Sequence, residues 1–125
     1  MDEKDKILPS IKKLLGINSD YTAFDPDLVV HINSTFSVLT QLGVGPENGF
    51  AIAMDGHEAW SDFTDDDNTL NMVKSYMYLK VKLLFDSGSM SSYLLESMER
   101  QAKEYEWRLN VIAEQKGKIQ NGKRT

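Results

Sequence analysis

Residues 71–89, NMVKSYMYLKVKLLFDSGS, constrain the fold more than any other part of this 125-residue chain. The spacing predicts a helix over residues 68–85 that has apolar residues on two sides, at about 100° of rotation per residue. The broad apolar arc contains Leu70, Val73, Met77, Tyr78, Val81, Leu84 and Phe85, and the narrow arc contains Met72, Tyr76, Leu79 and Leu83. A helix that is apolar on both sides is normally packed between other elements. The narrow arc therefore packs either inside the monomer or against a neighbouring subunit.

Three further helices are predicted around this one. Apolar residues at helical spacing end near Leu15, before the stop signal of Gly16. A second helix covers residues 26–42, with Asp25 as its N-cap, Pro26 in its first turn and Gly43 at its end. A last helix covers residues 91–113 and is apolar along one face. The sequence thus predicts a mainly α fold, a small four-helix arrangement.

A long connection lies between the second and third predicted helices. Residues 43–67 are rich in glycine, and the alternation in FAIAM before Asp55 and Gly56 predicts a short β-hairpin or an extended excursion. Connections of this length are uncommon unless they have a function, so the loop is a candidate contact surface. Its candidate partner-binding residues are Phe50, Ile52, His57, Trp60 and Phe63. The alternative is that its aromatic residues only complete the core.

Charge is distributed unevenly along a chain that is long enough for one domain. No Lys or Arg occurs between Lys13 and Lys74, a span that carries ten Asp or Glu, whereas ten Lys or Arg and six acids follow from Lys74 onward. These opposite charges meet either within one monomer or between copies of the chain. We expect one helical domain over residues 1–114 and a flexible basic tail over residues 115–125.

Catalysis, cofactors and metal binding have little support in the sequence. The absence of cysteine excludes disulfides, thiolate catalysis and Cys-type zinc sites. His31 and His57 have no accompanying nucleophile, and no phosphate-binding loop is present. The acidic stretch DFTDDDN lacks the ligand pattern of a calcium loop and is typical of a helix N-terminus. No apolar run suits a membrane span or a signal peptide, which favours intracellular synthesis, and the acidic domain disfavours nucleic-acid binding.

Four segments in order suggest a family: FDPDLVVHINSTFSVLTQLGVGP, WSDF, NMVKSYMYLKVKLLFD and LLESMERQAKEYEWRLN. Together, over residues 5–114, the chain resembles the small head-tail connector proteins of tailed bacteriophages and prophages. The resemblance implies a helical, non-enzymatic adaptor that assembles as a ring beneath the portal, in the host cytoplasm and then at the virion head-tail junction. Such a ring extends the DNA channel without sequence-specific DNA binding and docks the next connector or tail protein.

A ring requires two different contact patches on each subunit. We expect the narrow arc to meet a neighbour's apolar surface and the basic residues to meet the acidic loop. The interface candidates are Met72, Tyr76, Leu79, Leu83, Lys80 and Lys82. Two other functions remain open, namely a helical regulatory or protein-binding module and a packaging factor of the small-terminase type. The packaging factor is disfavoured because no basic helix-turn-helix is visible.

Overall fold

Five α-helices make up most of the fold in the computed structural model, which describes the backbone of residues 5–124 and the side chains of residues 5–117. The helices are α1 (Ile7–Leu14), α2 (Asp25–Gln41), α3 (Trp60–Phe63), α4 (Asp67–Asp86) and α5 (Ser92–Arg124). No β-strand occurs in this part of the chain, where the isolated antiparallel bridge joins Lys6 to Ala59. The predicted mainly α class is confirmed, and of the two forms predicted for the connection between the second and third helices, the described residues contain the long loop and not the β-hairpin.

Helix α4 lies between α2 and α5 and packs against both. The Phe24 ring, just before α2, contacts the Phe85 ring near the end of α4 at a centroid distance of 5.0 Å. On the other side, Asp66 at the start of α4 bonds Lys116 far along α5. These contacts show that α4 runs antiparallel to both of its neighbours. The two-sided apolar pattern of α4 therefore reflects a three-helix layer.

Helix α2 begins one residue earlier than predicted, and Asp25 does not act as its N-cap. The Asp25 carboxylate instead lies 2.9 Å from the ammonium of Lys12, which is buried in α1. Lys12 also donates to the backbone carbonyls of Ser19 and Tyr21, at 3.1 and 2.7 Å. A buried ammonium needs such partners because its desolvation is otherwise uncompensated. At the other end, Gly43 adopts the predicted left-handed conformation, with φ of 85°.

In the irregular connection between α2 and α3, the backbone groups of Ile52 bond to a side chain of α2. The amide of Asn33 accepts from the Ile52 N–H at 2.8 Å and donates to the Ile52 carbonyl at 3.0 Å, where a partner strand would otherwise bind. Ile52 is buried while Met54 is 61% exposed, so the predicted alternation ends there. Gly56 follows with φ of 63°, and a Cβ at this position would lie 2.7 Å from Leu8 in α1.

The aromatic residues of this connection complete the hydrophobic core. Trp60 and Phe63, both in α3, are buried, and the Phe63 ring lies 5.0 Å from that of Phe36 in α2. The Phe50 ring lies at the same centroid distance from Phe36. The indole N–H of Trp60 donates to the hydroxyl of Ser10 in α1 at 2.9 Å. This cluster packs α1, α2 and α3 together. The aromatic residues of the loop thus complete the core, which was the alternative to a partner-binding role.

Helix α5 follows a short 3-10 turn over Ser87–Ser89, and the Ser91 hydroxyl caps it by accepting from the Leu94 N–H at 3.1 Å. The core side of α5 carries the predicted stripe, with Met98, Ala102 and Leu109 buried.

The predicted end of this helix near Ala113 is wrong, because the backbone stays helical to Arg124. The contact of Lys116 with Asp66 holds α5 against the start of α4 beyond the predicted end. Flexibility of residues 115–125 stays a prediction, and the side chains from residue 118 onward lie outside the described part.

Candidate functional site

The narrow arc of α4 is the first candidate contact surface, and α5 covers much of it. Tyr76 and Leu79 are buried inside the monomer, whereas Met72 and Leu83 are half-buried at its edges. Tyr76 and Leu79 therefore offer no surface to a partner in the folded monomer. The interface prediction needs correction at these two positions, because the packing of the monomer, including the contact of Tyr76 with α5, already buries both side chains.

One polar contact lies within this otherwise apolar packing. The phenol of Tyr76 donates to a carboxylate oxygen of Glu106 in α5 at 2.7 Å. Burial, together with the bond to Glu106, raises the pKa of the Tyr76 phenol far above its usual range. The phenol thus stays protonated and acts as a donor that fixes the position of α5 on α4.

Of the remaining interface candidates, Leu83 and Lys80 line a surface groove between the second half of α4 and the first half of α5, whereas Met72 lies outside it. This groove has a volume of about 590 Å³ and includes Lys80, Leu83, Leu84 and Leu95 in its lining. Lys82 lies next to it along the chain, with its ammonium 5.8 Å from the Tyr78 ring centroid. The groove is also lined by the cations Lys80 and Lys103 and by the acids Glu99 and Glu106, so its apolar floor is bordered by charges of both signs.

The candidate partner-binding residues of the loop separate into two groups. Ile52, Trp60 and Phe63 are buried in the core and Phe50 is half-buried, so these four side chains pack within the monomer. His57 alone among the five is exposed. The burial follows from the aromatic cluster around α2, which the loop must cover.

His57 lies in a tight turn with two carboxylates, and one donor atom from each of Asp55, His57 and Glu58 falls within 4.8 Å of the others. The His57 ring bonds Asp55 at 2.5 Å, and this bond raises the pKa of His57 and lowers that of Asp55. Glu58 accepts from the Ala53 N–H at 2.8 Å. Imidazole and carboxylate groups can bind a divalent cation. Here each group already makes a hydrogen bond that stabilises the turn.

A second groove, which the sequence did not suggest, lies beside α1. It has a volume of about 790 Å³, and Pro9, Leu14 and Ile17 supply apolar lining between Lys13 and Lys74. The Lys74 ammonium also lies 5.8 Å from the ring centroid of Trp60. No sequence signal for this groove exists, because it forms where the turn after α1 folds back toward α4.

Few of the acids in the segment without Lys or Arg form ion pairs within the monomer. Of the ten acids between residues 14 and 73, only Asp25 and Asp66 form an ion pair with Lys or Arg within the described side chains. The bond from Lys116, helped by the Thr69 hydroxyl, lowers the pKa of Asp66 to about 2. Most acids of the segment between α1 and α4 are therefore outside ion pairs with the described Lys and Arg side chains.

Helix α5 also carries two large aromatic residues on the side that faces away from the core. Tyr93 is 83% exposed and Trp107 is 68% exposed. The helical spacing of the sequence places both residues on the side of α5 opposite the buried stripe that contains Met98 and Leu109.

The family comparison covers α1 to α4 and most of α5. A family model described as phage connector protein matches residues 7–116, which is most of the chain. The chain belongs to the phage connector protein family. No curated protein and no solved structure matches it significantly.

Membership confirms the resemblance in the sequence and gives this connector its general role. Phage connectors are structural proteins that interact with other head and tail proteins, and the helical core described above supplies a scaffold for such contacts. None of the helices in the described region has an apolar stretch long enough to cross a bilayer.

Proposed function

We propose that this connector assembles as a ring beneath the portal protein at the virion head-tail junction. The ring extends the DNA channel and docks the next connector or tail protein, and DNA passes through without sequence-specific contacts. The observation that carries this proposal is the family match over residues 7–116. Synthesis and first assembly take place in the cytoplasm of the bacterial host.

The charge distribution supports head-to-tail assembly. A ring of identical subunits uses two different patches, each of which binds its counterpart on the next copy. The acidic region between α1 and α4 retains most of its carboxylates outside ion pairs with described Lys or Arg side chains. Basic residues on α4 and α5 provide the opposite charge, and of these Lys80 and Lys103 line the groove between the two helices, with Lys82 nearby on α4.

The revised contact patch includes the exposed rim of the narrow arc and not its centre. Leu83 and Leu84 supply apolar surface beside Lys80, whereas Tyr76 and Leu79 stabilise the monomer. The loop over residues 43–67 and the basic tail over residues 115–125 contact the portal or the next tail protein. Acidic surface that faces the channel repels DNA phosphates, which lets the DNA slide.

Mass determination in solution, followed by negative-stain imaging with and without the cognate portal protein, tests the ring. We expect rings or ring-shaped layers on the portal, even where the isolated protein is monomeric. A protein that stays monomeric at high concentration and leaves the portal unchanged would contradict the proposal and favour a regulatory helical module.

Ionic strength tests the electrostatic part separately. The screening length falls from about 10 Å at 0.1 M salt to about 3 Å at 1 M, so assembly should weaken as salt rises. Combined Lys80→Glu and Lys82→Glu substitutions should weaken assembly at low salt. Lys13→Glu on α1 is the matched control. Rings that are indifferent to both salt and the double substitution would remove the electrostatic contact but leave the ring itself intact.

A further inference from the structure

The groove beside α1 is the larger of the two grooves described above, and its lining carries charge of one sign. Lys13 and Lys74 line this α1 groove, and no Asp or Glu does. Neither ammonium forms an ion pair within the described side chains. The groove around Lys80, by contrast, is lined by acids as well as by cations. The α1 groove therefore presents positive charge that the described part of the chain does not pair.

Acids that are close along the chain lie outside the lining of the α1 groove. Asp20, Glu58 and Asp62 are each within two residues of a lining residue, but none of them lines the groove. The carboxylates of Glu58 and Asp62 each accept from a backbone N–H of their own loop, at 2.8 and 2.9 Å. The Lys74 ammonium lies 5.8 Å from the ring centroid of Trp60, a contact that orients the cation without neutralising its charge.

Apolar surface lies between the two cations and is exposed in the monomer. Leu14 is 54% exposed, and Pro9 and Ile17 are half-buried. The wall after α1 is fixed from behind by Lys12, whose buried ammonium donates to the Ser19 carbonyl at 3.1 Å. The Lys12 carbonyl accepts from the Ile17 N–H at 2.9 Å. A preformed surface of this kind loses little conformational entropy when a partner binds.

These features define the chemistry of an occupant. Apolar side chains would remove Leu14 and its neighbours from water, and carboxylates beside Lys13 and Lys74 would supply the complementary charge. Nucleic-acid phosphates would match the charge but would leave the apolar lining in water. Phage connectors interact with other head and tail proteins. The α1 groove therefore suits an apolar segment of such a protein that also contains Asp or Glu.

A second copy of the chain offers poor matches for this groove. In the span without Lys or Arg, three exposed large apolar residues stand next to an acid, namely Tyr21, Phe24 and Met54. Asp25, beside the second, pairs with Lys12. Asp55, beside the third, bonds the ring of His57. Asp20, beside the first, directly follows the groove wall, so a contact through it would be two-fold and would stop at a dimer.

We infer that the α1 groove docks an apolar, acidic segment of the next connector or tail protein. This inference rests on the docking part of the proposed function and does not depend on the contact between ring subunits. The α1 groove shares no lining residue with the groove around Lys80, so the contact proposed there does not use it. The protein that joins after the ring has formed is therefore the partner that meets this groove.

Charge reversal tests the two cations. Rings are assembled on the cognate portal protein, and their Kd for the purified next connector or tail protein of the same phage is measured by biolayer interferometry. Lys13→Glu combined with Lys74→Glu should raise this Kd by about tenfold or more, because attraction becomes repulsion. Lys13→Glu alone, at an exposed residue, should raise it severalfold and leave thermal unfolding unchanged. Arg100→Glu combined with Arg108→Glu, the same change of charge on α5, is the matched control.

Truncation of Leu14 tests the apolar part. Leu14→Ala should raise the same Kd by about tenfold, since most of a leucine side chain would be removed from the contact. Leu94→Ala, at a residue of α5 that is 44% exposed and outside both grooves, is the control. Rings on the portal should form as well with Lys13→Glu and Leu14→Ala as with the natural chain.

Photocrosslinking identifies the occupant, because the natural chain contains no cysteine. Asn18→Cys, at an exposed lining residue, is labelled with benzophenone maleimide, and crosslinked peptides from the assembled rings and their partner are sequenced by mass spectrometry. We expect crosslinks to a segment of the next connector or tail protein that contains apolar residues and Asp or Glu. Gln101→Cys, at an exposed residue of α5, is labelled in the same way as the control.

The outcomes separate this groove from the proposed function. An unchanged Kd with both the double charge reversal and Leu14→Ala overturns the groove and leaves the ring and its docking role standing. Crosslinks from Asn18→Cys to the portal or to a second copy overturn it as well, because they assign a different occupant. Failure of natural rings to bind the next connector or tail protein overturns the docking part of the proposed function and this inference together.

Discussion

The two sides of α4 differ in what they bury. On the side toward α2, Val73, Met77 and Val81 are completely buried and wholly apolar. The side toward α5 contains the hydrogen bond between Tyr76 and Glu106 and ends at the open groove around Leu83. One side is therefore filled by the core, whereas the other also leaves a groove for which we propose a contact with a partner. An apolar pattern on a helix does not by itself distinguish these two uses.

The largest loss of folding stability is expected from a substitution on the side of α4 toward α2. Met77→Ala removes a fully buried side chain and leaves a cavity, so it should lower the free energy of unfolding by about 3 kcal/mol. Urea unfolding followed by circular dichroism measures this change. Met54→Ala, at a residue 61% exposed, is the control and should stay within about 0.5 kcal/mol of the natural protein. A loss below about 1 kcal/mol at Met77 would mean that this side is not the folding core.

A smaller effect is expected from the polar contact on the side toward α5. Tyr76→Phe removes the hydroxyl and leaves the Glu106 carboxylate without its donor, at a cost of about 1 kcal/mol or slightly more. The same unfolding measurement applies, with Tyr93→Phe on the exposed face of α5 as the control. Equal effects of the two substitutions would show that the bond to Glu106 contributes nothing to the packing of α5.

Leu83 tests the difference between the two sides of α4 most directly, because it is half-buried and also lines the groove that we propose contacts a partner. This side chain is half-buried, so Leu83→Ala should lower the free energy of unfolding by about 1 kcal/mol or less. Ring formation on the portal should nevertheless weaken severalfold. Leu14→Ala, in the groove beside α1, is the control for a general loss of exposed apolar area. Normal assembly with Leu83→Ala would restrict the partner contact to other surfaces.

The smallest effect concerns the ion pair that holds α5 at the start of α4. The pKa of Asp66 is about 2 in the folded protein, below its ordinary 3.8, because Lys116 bonds its carboxylate. The stabilisation is fully present above the ordinary value and is lost as the pH falls through about 2. In a carboxyl NMR titration, Lys116→Met should move the pKa of Asp66 back toward 3.8, whereas Lys103→Met should not. An unchanged titration would show that the pair does not form in solution.

Sequence reasoning succeeded where the signal was local. The order and nearly all bounds of the main helices followed from periodicity and from stop signals such as Gly43. It failed where a partner lay far along the chain. Asp25 was predicted to cap α2 but pairs with buried Lys12, and the FAIAM stretch bonds Asn33 in place of a second strand. The end of α5 was missed because residues 114–124 have little apolar content.

The sequence by itself determined that α4 must be covered on two sides, since a helix with two apolar arcs cannot leave both in water. It also determined the uneven charge distribution and the family, because both depend only on which residues occur in which order. Only the tertiary structure decided that Tyr76 and Leu79 are buried within the monomer while the groove around Leu83 stays open. The physical reason is that burial depends on contacts such as that of Tyr76 with Glu106, thirty residues apart, which periodicity does not specify.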